Sequence, residues 1–169
     1  MSDNEPAPSA HPAARGELID DHPYDAIERL VLEIARRMFT TFAAPETHSW
    51  LRAFEVAEHR LGAIGASVAH AVAEAVQVLR ANRQADFGFI NPDCPCCRQR
   101  LTHEERYFIN VLHAVRRQQR SEALLNSMFV CAGNNPDALV LALTALADRL
   151  PEVTGKAARP RPIWSHTEH

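Results

Sequence analysis

The run Ala26-Ile-Glu-Arg-Leu-Val-Leu-Glu-Ile-Ala-Arg-Arg-Met-Phe-Thr-Thr-Phe42 decides the fold class. Ile27, Leu30, Val31, Ile34, Ala35, Met38, Phe39 and Phe42 recur at intervals of three and four. That spacing lays one wide apolar stripe along a helix of about 20 residues. Pro23 suits the first turn of this helix, and Pro45 stops it. Downstream, Trp50, Phe54, Ala57, Leu61, Ile64, Val68, Ala71, Ala75 and Val78 alternate in steps of four and three, the seam of a helix–helix packing surface. Gly62 and Gly65 interrupt that seam and mark a kink or a break into two helices. The small side chains between Ala63 and Val76 permit close helix approach.

After Asn82 the character changes. Phe87, Phe89 and Ile90 lead into Asn91-Pro-Asp-Cys-Pro-Cys-Cys97, whose two prolines exclude helix. Thr102-x-x-Glu105 is a capping box, opening a helix that carries Phe108, Ile109, Leu112 and Val115. A wholly polar block from Arg116 to Glu122 follows. Leu124, Leu125, Met128 and Cys131 then resume an apolar face, which Gly133 ends. Asn135 and Pro136 make an N-cap and first-turn pair for a last helix through Leu139, Leu143, Leu146 and Leu150. No period-two strand and no repeat is visible. The expectation is an all-α bundle of five to six helices, with one irregular Cys-rich loop (87–101) between its N- and C-terminal halves. A single helical domain spans 21–151, between an acidic, Pro-rich disordered tail at 1–20 and a flexible tail at 152–169. Trp164 in the latter reads as a lone exposed aromatic.

Composition sets the outer limits. The chain has 169 residues, 46% of them hydrophobic and 23% charged, an ordinary globular balance that excludes collagen-like and wholly disordered classes. Charges interrupt every apolar run before the ~18 residues of a membrane span, so no membrane association is expected. The opening residues are acidic and lack an apolar stretch, unlike a signal peptide. A net charge of −3 gives no global reason to expect nucleic-acid binding. The distribution is uneven, however. Residues 1–29 hold seven acids against Arg15 and Arg29. Residues 98–120 hold Arg98, Arg100, Arg106, Arg116, Arg117 and Arg120 against Glu104 and Glu105. Solvated helix faces explain such a run. So does an anionic partner, or the acidic N-terminal segment itself lying on the 98–120 face.

The chemistry concentrates in the cysteines. Three of the four lie within four residues, which points away from loop-stapling disulfides and towards metal or thiol chemistry in a reducing, cytoplasmic setting. Cys94 and Cys97 have the Cys-x-x-Cys spacing by which two thiolates reach one tetrahedral ion. The string Cys94-Pro-Cys-Cys-Arg-Gln-Arg-Leu101 resembles one knuckle of a zinc ribbon, but the second Cys-x-x-Cys of a ribbon is missing. A closed zinc site takes four ligands, so Cys96, Cys131 and His103 join the candidate set, with His113 behind them. Adjacent Cys96 and Cys97 are expected to share a metal only with local strain. Cys131 also reads as an inert core thiol following Met128 at helical spacing, and His103 as a solvated first-turn residue. If the polar block holds a turn, the helices on either side run antiparallel. Cys131 then falls within about 10 Å of His103 along the helix axis. The all-polar composition favours that turn.

Three chemistries stay open for the loop. Zinc or another thiophilic ion would order it and contribute folding energy. A thiol redox switch could pair Cys94 or Cys96 with Cys97, their thiolates favoured by Arg98, Arg100 and the helix beginning at 102. The Cys94-Pro95 pair resembles the short haem-ligating motif of haem-regulated proteins, and four cysteines match an iron–sulfur count, although their spacing is unusual for a cluster. No phosphate-cradling glycine loop, Gly-x-Ser-x-Gly, His-Glu-x-x-His or Glu-x-x-His pair is present. An enzyme is therefore the less expected class. A small metal-binding protein with a regulatory, accessory or partner-binding role is the leading expectation. Its partner would be another protein or a second copy, with a helical thiol oxidoreductase as the enzyme alternative.

Overall fold

Asp25, rather than a turn begun by Pro23, opens the first helix. Its side chain accepts from the Glu28 N–H at 2.8 Å, and the Glu28 carboxylate accepts from the Asp25 N–H at 3.0 Å. This reciprocal cap satisfies two backbone donors that the first turn leaves free. The helix, α1, runs Ala26–Ala43 and buries Leu30, Val31, Ile34, Ala35, Met38 and Phe39. The computed structural model describes residues 16–153. The expected tails at 1–15 and 154–169, Trp164 included, lie outside that range.

Helix α2 (Ser49–Leu61) and helix α3 (Gly65–Asn82) are separated by a single 3-10 turn at Gly62–Ile64. Gly62 takes φ +59°, and a Cβ on Gly65 would sit 2.5 Å from the Ala57 carbonyl oxygen. The two glycines thus let the chain turn and let α3 start in contact with the backbone of α2. By length and composition the stretch Ser49–Asn82 is apolar enough to cross a membrane, contrary to the reading of interrupting charges. Here Val68, Val72, Ala75, Val76 and Leu79 of this stretch are buried in the bundle.

Helix α4 (His103–Arg116) begins at the expected Thr102–Glu105 capping box. It ends at a turn where Gln118 adopts φ +58°, and helix α5 (Arg120–Val130) follows. The polar block therefore holds the turn. Asn110 bonds Asn126, and Tyr107 stacks on Phe129 with ring centroids 5.1 Å apart, which fixes α4 and α5 as an antiparallel hairpin. After α5 the Gly133 N–H (φ +81°) returns to the Met128 carbonyl, closing the helix end. Asn135 precedes helix α6 (Pro136–Ala147) in a left-handed conformation, and its side chain makes no cap. Pro136 occupies the first turn as expected. Among the described residues the all-α bundle has six α-helices, with α1, α2 and α3 packed together and joined to the α4–α5 hairpin through α6 and through ion pairs between α1 and α4.

One feature departs from the sequence reading, and a second takes up one of the alternatives it offered. Residues 16–20, assigned to the tail, are ordered. Strand β1 (Glu17–Leu18) pairs antiparallel with β2 (Arg100–Leu101), and the Ile19 N–H bonds the Gln99 carbonyl at 2.8 Å. The arginine-rich face has also found its acids within the chain. Arg106 pairs with Glu17, Arg116 with Asp25 and Glu28, and Arg117 with Glu28. Arg100 donates to the Gly16 carbonyl. Arg98 and Arg120 alone of the six have no such partner among the described residues.

Candidate metal centre

The loop from 83 to 99 is long and irregular, yet held at both ends. Arg83 donates to the carbonyls of Ala85, Asp86 and Val130, and Phe87 stacks on Phe39 of α1 at 4.4 Å. Phe39 also meets Phe89 and Phe108, so the approach to the cysteines rests on an aromatic cluster. A buried ion pair holds the segments that flank the cysteines. The Arg36 Nε donates to Glu105 at 2.7 Å, with 4% and 0% of the two side chains exposed. Arg36 Nη1 donates to the Arg98 carbonyl at 2.7 Å and Nη2 to the Arg100 carbonyl. Glu105 accepts from the Ile90 N–H at 2.9 Å and the Thr102 N–H at 3.0 Å. One pair of side chains therefore ties the segment entering the cysteine turn at Ile90 to the segment leaving it at Arg98–Thr102, with the buried charges nearly saturated by hydrogen bonds.

Between these fixed ends the backbone curls tightly. The Cys94 N–H bonds the Asn91 carbonyl, and the Cys94 carbonyl accepts from the N–H groups of Cys97 and Arg98 at 3.2 and 3.0 Å. The curl brings three thiols together. Cys94 Sγ lies 2.7 Å from Cys97 Sγ and 3.1 Å from Cys96 Sγ, and Cys96 and Cys97 are 3.5 Å apart. Cys97 is buried, Cys94 half-buried and Cys96 exposed. A tetrahedral zinc ion with bonds of about 2.3 Å would hold its sulfurs about 3.8 Å apart, so uptake needs the Cys94–Cys97 pair to spread by about 1.1 Å and the other two pairs by less. The adjacent pair was expected to reach a shared point only under strain. No residue from 91 to 99 has a positive φ, and both thiols converge without it.

Its hydrogen bonds with Cys97 and Cys96 lower the pKa of Cys94. The hydrogen bond shared with Cys94, together with desolvation, pushes Cys97 up to about 12. Sister thiols and their backbone N–H groups supply the perturbation, where the sequence pointed to Arg98, Arg100 and the α4 N-terminus.

Two of the five predicted ligands stay apart. The three loop cysteines alone form the converging group among the described residues. Cys131 lies at the expected end of the α4–α5 hairpin, but its thiol is fully buried against the Ser127 hydroxyl at 3.9 Å. Burial raises its pKa, as for an inert core thiol. His103 is exposed, and its Nδ1 lies 3.4 Å from Arg106. His113 is engaged by Glu28 at 3.0 Å. A four-cysteine site, whether zinc or iron–sulfur, is therefore not assembled within this chain. Among the described residues the group offers three sulfurs.

Sequence reasoning overlooked Arg36 and Glu105 as the supports of the site. Arg36 and Arg37 interrupt an apolar run on α1 and are nonetheless 3% and 7% exposed, a burial that the sequence pattern does not disclose. Compared with protein-family models, curated proteins and solved structures, the chain matches none.

Proposed function

We propose that the Cys94–Cys96–Cys97 group holds one thiophilic ion, zinc in the first instance, through three thiolates and one exchangeable ligand. The observation that carries this reading is the convergence of three thiols on a loop already fixed from both sides. A preformed site pays little ordering entropy when the ion arrives. Closed structural zinc sites use four protein ligands, whereas sites that keep one position open accept water, a substrate or a partner's side chain. A binding or regulatory protein that presents its metal to a partner fits this arrangement. The free thiols suit a reducing compartment. The clustered sulfurs favour a soft ion over a hard one such as magnesium.

A second reading has its own observation. Cys94 and Cys97 lie 2.7 Å apart, closer than an ion would hold them. Two thiols so placed can pass two electrons and two protons to an external oxidant and close a disulfide. Elemental analysis of protein purified under reducing conditions, without added metal, separates the two. Close to one equivalent of metal, lost in Cys94→Ser and Cys97→Ser, supports the metal site. Less than about a tenth of an equivalent with rapid, reversible oxidation of two thiols supports the switch.

A further inference from the structure

The three loop thiols stand closer together than a tetrahedral ion holds its ligands, and the described residues bring no fourth ligand to them. We propose that Cys94, Cys96 and Cys97 capture a trivalent metalloid, arsenic or antimony, as its neutral hydroxide and bind it through all three sulfurs. The proposal names a ligand class for the thiol group and rests on the reading of that group as a soft-ion site.

A trivalent metalloid forms a pyramid with three donors, its lone pair filling the fourth side, whereas zinc on three thiolates still needs an outside ligand. The remaining thiol and imidazole candidates are held elsewhere, Cys131 beside Ser127 and His103 beside Arg106. Sulfur is the donor that such a soft centre prefers over oxygen. Spacing points the same way. Bonds of zinc–sulfur length, about 2.3 Å, meeting at near-right angles set their sulfurs about 3.3–3.4 Å apart, against about 3.8 Å around tetrahedral zinc. Cys96 and Cys97 already stand 3.5 Å apart. The Cys94–Cys97 and Cys94–Cys96 pairs, at 2.7 and 3.1 Å, need to open by about half as much as zinc demands. Charge is the third argument. The sulfurs bond one another, and the backbone N–H groups of Cys96 and Cys97 donate to Cys94. No arginine among the described residues donates to them. Zinc on three thiolates leaves one net negative charge there, and the metalloid tris-thiolate leaves none.

Capture is a condensation without redox change. Each sulfur forms one bond to the metalloid, one metalloid–oxygen bond breaks, and the thiol proton leaves with that hydroxide as water. Three thiols and one trihydroxide therefore give one neutral tris-thiolate and three waters. Exposed Cys96 is the sulfur met first, and half-buried Cys94 and buried Cys97 complete the pyramid from the loop side.

The test adds arsenite to the full chain, metal-free and reduced with a phosphine, and reads the adduct by native mass spectrometry and arsenic-edge X-ray absorption. A mass gain of one arsenic less three protons is expected, with three sulfur neighbours and no oxygen. Cys96→Ser, at an exposed position, should keep one oxygen on arsenic and weaken binding about a hundredfold, the loss of one intramolecular attachment. Cys131→Ala should bind as the parent chain does. A parent adduct that keeps an oxygen overturns the proposal. So does an affinity that Cys96→Ser leaves unchanged, or binding that is lost in Cys131→Ala. Zinc uptake by the same preparation separates this proposal from the reading beneath it. Zinc bound without a three-sulfur arsenic adduct overturns the proposal alone, and neither ion bound overturns both.

Discussion

Arg36 and Glu105 do more for the cysteine loop than any residue within it. Each is buried, and each bonds both to the other and to the loop backbone. Removing one partner strands a charge in the interior, which costs about 3–5 kcal/mol. Arg36→Met and Glu105→Gln should each lower the free energy of urea unfolding by that order, while Cys96→Ser, at an exposed position, should change it by less than about 1 kcal/mol. Cys131 gives the opposite test. Cys131→Ala should reduce stability by about 1–2 kcal/mol through a small cavity, and metal content should stay as in the parent chain. At this scale the sequence was half legible. The Cys-x-x-Cys spacing identified the thiols, because that signal is local. Arg36 was hidden because its partners lie more than sixty residues away, and a charge within an apolar stripe reads equally well as a solvated edge. Cys131 had the right height on its hairpin, but spacing along a helix does not say which way a thiol faces.

The elements themselves were largely legible. The α1 stripe, the Thr102 capping box, the turn in the polar block and the break at Gly62–Gly65 all rest on short-range rules of helix geometry. Strand β1 was not legible. Two residues carry no period, and only the pairing of Glu17 with Leu101 makes them a strand. The same segment pairs with part of the arginine-rich face, through Glu17 and Arg106. The acids of the N-terminal segment lie against Arg106, Arg116 and Arg117, the intramolecular alternative to an external anion. At the α2–α3 junction the prediction is steric. A Cβ on Gly65 would meet the Ala57 carbonyl oxygen and the Glu58 backbone at 2.5 Å. Gly65→Ala should therefore cost about 1–3 kcal/mol, despite the better helix propensity of alanine, and lower the midpoint of thermal unfolding followed by circular dichroism.

For the molecule as a whole, the clearest pH dependence centres on Glu28. It is fully buried in the seam between α1 and α4, where it meets His113, Arg116 and Arg117. Burial by itself raises its pKa, but the hydrogen bonds from His113, Arg117 and the Asp25 backbone overcome that and hold it at about 2, below the ordinary value of 4.5. The folded pKa lies below the unfolded one, so this stabilisation is complete above about pH 4.5. It is lost as pH falls through about 2. The contribution is on the order of 3 kcal/mol. Urea unfolding between pH 5 and pH 2 should show stability dropping with acid, and Glu28→Gln should flatten that limb while lowering the neutral-pH plateau.

The rest of the bundle, with Phe39 and its aromatic neighbours, keeps the cysteine loop in place, and the loop's geometry is where the functional reading stands or falls. X-ray absorption at the zinc edge of protein loaded with one equivalent of zinc under reducing conditions reads that geometry directly. Three sulfurs at about 2.3 Å with one lighter oxygen or nitrogen neighbour is the predicted coordination shell. Four sulfurs, or a shell of oxygen and nitrogen without sulfur, would contradict it.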